Sequence, residues 1–124
     1  MKPVDQDRFY DKEKGTKGNC LQAAVASILG LSLHEVPNFM EAEEGFWPAY
    51  HRFLEKHGYI VFEPRGNVEP ECFYIAHGES PRGIMHSVVY FDGKLAHDPH
   101  PSRGDIKVSY IHLLLPINPE SRKK

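Results

Sequence analysis

The chain reads as an α+β domain, because helical and strand-like periodicities occupy different halves of it. Up to His57 the apolar residues recur at helical spacing, and from Gly58 onward short runs rich in β-branched and aromatic residues take over. Loops rich in Gly, Pro and Ser (PRGNVEPE, HGESPRG, PHPSRGD) separate those runs. The expected architecture is N-terminal helices packed on a C-terminal antiparallel sheet.

Residues 1–18 are polar apart from Phe9 and Tyr10, and read as a short strand or extended arm followed by the loop DKEKGTKG. Leu21, Ala24, Val25, Ile28 and Leu29 then mark one face of a helix that Gly30 caps. Asn19 is the natural N-cap, which puts Cys20 at the first helical position. Ser32 caps a short turn of helix that Pro37 interrupts. A second helix is expected over Phe46 to His57, with Trp47, Tyr50, Phe53 and Leu54 on one face and Gly58 ending it. The strands follow at 59–63, 72–76, 84–91, 94–98 and 108–115. The chain has no repeat and no linker, so 1–124 is read as a single domain with a frayed tail at 119–124.

Composition narrows the class of function. Fifteen basic against seventeen acidic residues leave a net charge of −2, which argues against a nucleic-acid partner. No stretch approaches the ~20 apolar residues of a membrane span. MKPVDQDRFYD carries no apolar run of the kind a secretory signal needs, and two cysteines do not make a disulfide framework. A reducing, cytoplasmic setting is the expectation.

Cys20 is the first chemical candidate. A thiol in the first turn of a helix meets the positive end of the dipole and unpaired N–H groups, both of which favour thiolate. Cys72, inside an apolar strand, is expected to be inert. Catalysis needs a histidine beside the sulfur and a group to orient it. His86 lies mid-strand in IMHSVVYF, and Asp98 follows in KLAHDP. A two-residue loop at Asp92-Gly93 pairs Phe91 with Lys94, places His86 opposite Pro99 and points Asp98 to the other face. A three-residue loop with Gly93 as a left-handed bulge residue pairs Tyr90 with Lys94 and sets His86 across from Asp98. Only the second register makes a dyad, and it is the one expected here.

GNCLQAAVASILG followed by HSVVYFDGKLAHDP resembles the papain-like cysteine hydrolases, in particular the compact bacterial and phage forms related to bacteriocin-leader peptidases. The likeness spans roughly residues 16–101. It implies a papain-like fold and a cysteine peptidase or amidase without a cofactor, acting on a peptide or protein substrate. Cys20 is then the nucleophile, His86 the base and acid, and Asp98 the orienting carboxylate. Where the family usually carries an oxyanion-donating Gln, six residues before the Cys, this chain has Lys14. Gln6 is the nearest upstream Gln, and a folded-back DKEKGTKG loop would deliver it beside the Cys20 N–H, the other expected donor. Trp47 and Arg82 are candidates for lining the substrate cleft.

Two other readings remain open at this level. One is a non-catalytic papain-like module that binds a peptide or protein. The other is a zinc site drawn from Cys20, His86, His97, Asp98 and His100, although no metal-ligand spacing such as C-x-x-C or H-E-x-x-H occurs.

Overall fold

The computed structural model describes residues 1–118, so the expectation for the 119–124 tail lies outside the described residues. Helices α1 (Cys20–Leu29) and α2 (Phe46–Lys56) precede strands β1 (Tyr59–Phe62), β2 (Phe73–Glu79), β3 (Met85–Phe91), β4 (Lys94–His97) and β5 (Lys107–Pro116). The five strands form one antiparallel sheet in the order β1-β5-β2-β3-β4. Helices first and an antiparallel sheet afterwards is the α+β arrangement the periodicities predict. Among the described residues no helix is long and apolar enough to cross a membrane.

Alternation along the strands decides what each sheet face covers. Ile75 and Val89 point to the helices and join Leu21, Val25, Phe39, Tyr50 and Leu54 in the main core. Tyr74, Ala76, Val88, Tyr90 and Ile111 form a smaller cluster with Leu95 and Ile106 packed against it. In α1 the four residues Ala23 to Ala26 are fully buried, which lets the helix lie close on β3. Gly30 closes α1 in the left-handed region at φ 71°. Ser32 starts a single 3-10 turn, Leu33–Glu35, and a second such turn at Phe39–Glu41 went unread in the sequence.

The N-terminal arm forms no strand. It runs along α1, with Lys2 N–H donating to Ser27 O and Val4 N–H to Ser27 Oγ. An isolated bridge between Asp11 and Thr16 folds the DKEKGTKG loop back on itself. Cys72 also differs from expectation. It lies just before β2 and is partly buried, since the strand begins at Phe73.

The β2–β5 pairing shifts register between His77 and Gly78. A Cβ on Gly78 would lie 1.9 Å from the Lys107 carbonyl oxygen, so only glycine fits this crossing. Gly78→Ala is expected to destabilise the fold by roughly 1–3 kcal/mol, the scale of backbone displacement by overpacking. Urea unfolding measures it, and an unchanged midpoint would refute the close approach.

Candidate active site

The β3–β4 hairpin reaches the dyad by a different route from the expected one. Phe91 pairs with Lys94, so the loop is the two-residue Asp92-Gly93 turn. Both residues have positive φ, 52° and 75°, the geometry of a type I′ turn. Gly93 is left-handed as expected, yet it is not a bulge residue, and the three-residue loop is corrected. The extra residue sits further along: Tyr90 pairs with Leu95 but Val89 pairs with His97, leaving Ala96 as the bulge. Continuing that pairing puts Asp98 opposite Val88, on the His86 face and one diagonal step away. A single inserted residue therefore restores the parity that the short turn would have lost.

His86 Nε2 lies 2.6 Å from Asp98 Oδ1, and both side chains are almost wholly buried. The Asp98 carboxylate also accepts the His100 N–H on Oδ1 and the Asp105 N–H on Oδ2, each at 2.9 Å. The loop after Asp98 bends to supply those donors, holding Arg103 and Asp105 at φ 51° and 64°, where non-glycine residues are uncommon. Tyr90 Oη in turn fixes Asp105 by donating to its Oδ1 at 2.8 Å. Burial opposes ionisation of Asp98, but the His86 hydrogen bond and the two N–H donors overcome it and hold the carboxyl down at about 2.

Cys20 opens α1, is partly buried and lines one cleft with His86, whose imidazole favours the thiolate. With Nε2 engaged by Asp98, Nδ1 is the ring nitrogen left for the sulfur. The β3–β4 pairing stops at Val89–His97, so Met85 to Val88 have no β4 neighbour. There Ser87 lines the cleft beside Cys20 and favours the thiolate. Burial pushes the thiol up, but His86 and the Ser87 groups outweigh it and leave the thiol below its ordinary range. Burial likewise disfavours the His86 cation, yet Asp98 and Cys20 raise it to about 9. Both shifts lean toward a thiolate beside an imidazolium.

Gln6 is brought to the same place. It is buried, and it lines a cleft of about 980 Å³ with Cys20, His86 and Ser87. The arm delivers it: Gln6 N–H donates to Pro99 O, Arg8 N–H donates to Asn19 Oδ1, and Asp5 holds Arg103 through both carboxylate oxygens. One Gln6 Nε2 proton goes to Arg8 O at 2.8 Å, and Gln6 Oε1 is buried with no partner. Asn19, the expected cap, spends its side chain on this arm and on Gln22 rather than on the helix N-terminus.

Arg82 lines the cleft and donates to Ser102 Oγ at 3.0 Å. Trp47 does not line it. Successive helical residues point about 100° apart, so Phe46 faces the cleft while Trp47 stacks outside on Tyr50 and His51. His97 turns to Val4 O and Asp5, away from the dyad, and among the described residues no group of three or more His, Cys, Asp or Glu is placed to hold a metal ion.

Sequence reasoning missed His77 and His112. Both are buried, on the neighbouring strands β2 and β5, and their rings approach to 4.5 Å. The expected loop HGESPRG took in His77, whereas β2 runs on to Glu79; His112 lies in an expected strand, but its nearness to His77 depends on a strand order that no local pattern encodes. Comparison of the chain with protein-family models, curated proteins and solved structures gives no match.

The buried dyad dictates a pH dependence of stability. Asp98 is depressed, so its contribution is full above the ordinary 3.8 and is lost as pH falls through about 2. His86 is raised, so its contribution is full below 6.5 and is lost as pH rises through about 9. Urea midpoints measured against pH are expected to fall on both sides of that window, and Asp98→Asn should flatten both limbs. Identical profiles for the two proteins would contradict the shifts.

Proposed function

We propose that this protein is a papain-like cysteine hydrolase that cleaves an amide, peptide or isopeptide bond through Cys20, His86 and Asp98. The observation that carries the reading is an imidazole whose Nε2 is held 2.6 Å from a buried carboxylate, on a cleft it shares with a thiol that opens a helix. The likeness of GNCLQAAVASILG and HSVVYFDGKLAHDP to compact bacterial and phage papain-like enzymes points the same way.

In this mechanism the Cys20 thiolate attacks the carbonyl carbon and the electron pair moves onto the oxygen. The Cys20 backbone N–H, which has no intrahelical partner at this position, and the second Gln6 Nε2 proton stabilise that oxyanion. The tetrahedral centre collapses to a thioester as the C–N bond breaks, and His86 gives its proton to the leaving amine. His86 then takes a proton from water, hydroxide adds to the thioester, and the thiolate leaves. Asp98 holds the ring orientation and the imidazolium charge throughout. The apolar lining contributed by Phe39, Met40 and Phe46 suits an acyl group with a hydrophobic side chain.

An electrophilic acyl probe is expected to add one adduct per chain by intact mass, located on Cys20, and to spare Cys72. Cys20→Ala and His86→Ala should abolish it, whereas Asp98→Ala should only slow it. Labelling confined to Cys72 would end this reading. Once a turnover substrate is in hand, Gln6→Ala should lower kcat by roughly 10² while leaving the thiol reactive, the scale of one lost oxyanion donor. Turnover that is insensitive to Gln6 would assign the oxyanion to other donors. Turnover should also fall as pH rises through about 9, where His86 loses the proton that the leaving amine needs.

A further inference from the structure

Apart from the thiol itself, the charged side chains that line the cleft are cations. The chain has seventeen acidic residues, yet among the described residues no Asp or Glu lines the cleft, whereas Lys17 and Arg82 do. Arg8, Arg52 and Arg103 each hold a carboxylate of this chain. Among the described residues no carboxylate pairs with Arg82, whose side chain is exposed at the cleft.

The fold fixes that guanidinium relative to His86. Arg82 sits in the turn between β2 and β3, where Ser80 donates its N–H to Ile84 O and accepts the Gly83 N–H. Arg82 Nη1 donates to Ser102 Oγ at 3.0 Å. The Ser102 N–H donates to His100 Nδ1, so that nitrogen carries no proton, and the Ser102 hydroxyl, 2.8 Å away, donates to it as well. The hydroxyl oxygen is then free to accept from Arg82. The His100 N–H is held by Asp98 Oδ1, and the His100 ring stands edge-on to His86 with centroids 6.1 Å apart. Arg82 is thus registered on the same carboxylate that orients the imidazole. Burial and the nearby Arg82 and His86 hold His100 below its ordinary range, so Arg82 supplies the charge on this wall.

In the proposed mechanism His86 gives its proton to the leaving amine, so the amine side of the substrate departs past the imidazole, toward the wall of His100 and Arg82. We propose that Arg82 selects substrates whose amine side carries a carboxylate, which pairs with the guanidinium. Ser102 takes one of the five Arg82 N–H donors, and the remainder keep a fork for a carboxylate. An extended chain advances about 3.3 Å per residue, so a carboxylate within about three residues of the cut bond can reach Arg82 across His100 and Ser102. An Asp or Glu side chain and a free C-terminal carboxylate share this chemistry. With the apolar lining on offer to the acyl group, the substrate class becomes a peptide that is hydrophobic before the cut bond and anionic after it. The inference rests on Cys20 and His86 acting as nucleophile and acid of the proposed hydrolase.

Two measurements on the folded full-length chain test it. Iodoacetate and iodoacetamide alkylate the same sulfur, and only the first is an anion. The ratio of their rates at Cys20, read by peptide mass spectrometry, therefore separates the charge of the cleft from the reactivity of the thiol. Arg82→Gln is expected to lower that ratio roughly fivefold, the scale of one charge several ångström away in a wet cleft, and Arg82→Lys to restore most of it. The second measurement is protection of Cys20 from iodoacetamide by tripeptides with a free N-terminus, as the amine product has. A neutral tripeptide amide is compared with the same amide carrying one glutamate and with a neutral tripeptide ending in a free carboxylate. Protection by the glutamate amide assigns the anion to a side chain, and protection by the free acid assigns it to a chain terminus. Either protection should weaken with Arg82→Gln. A ratio indifferent to Arg82→Gln, or anionic tripeptides that protect no better than the neutral one, would overturn the inference. If His86→Ala still depresses alkylation in that case, the hydrolase reading survives. A wild-type Cys20 no more reactive than an ordinary thiol, and indifferent to His86→Ala, would overturn both.

Discussion

A buried carboxylate is the constraint around which this molecule is organised. Asp98 is 1% exposed, and a charge so placed persists only if every part of its lost hydration is replaced. His86 and two backbone N–H groups do this, and each imposes a shape. The His100 and Asp105 donors require the loop after β4 to curl back through left-handed residues. Arg103 in that loop holds Asp5, and Asp5 anchors the arm that carries Gln6. Fixing one carboxylate therefore aligns the imidazole, the loop and the arm together.

The sheet supports this by ending early on one side. β4 is only four residues long, so the start of β3 offers its edge to α1 instead of to another strand. An unpaired edge is normally a liability. Here α1 packs against it, and Cys20 and Ser87 line one cleft where the two meet. The small residues of α1 make the approach close, since Ala23, Ala24 and Ala26 carry only methyl groups.

Much of this was legible in the sequence. The period change at Gly58, the cysteine at the start of α1 and the positions of all five strands follow from local pattern alone. The pairing of His86 with Asp98 was read correctly for a wrong reason: turn chemistry at Asp92-Gly93 fits two loop lengths, and the parity was repaired by a bulge at Ala96 that no glycine marks. Trp47 was misplaced because Phe46, its neighbour, is just as apolar, and helical phase decides which one enters the cleft. His77 and His112 were invisible for a different cause. His77 fell in a stretch whose Gly, Ser and Pro read as loop, and it meets His112 only because β5 lies beside β2.

That strand order also bears on the sequence of events during synthesis. β5 inserts between β1 and β2, so the middle of the sheet is filled by the strand that comes after the other four in the chain. Until it docks, β1 and β2 are not neighbours, and the inward face of β2 around Ile75 and His77 lacks its partner on that side. Local hairpins such as β3–β4 can form early, whereas closure of the sheet waits for contacts distant in sequence. On the nascent chain Cys20 and His86 are already present while His112 is not. The candidate nucleophile, imidazole and carboxylate thus all precede in the chain the ten-residue strand whose insertion completes the sheet.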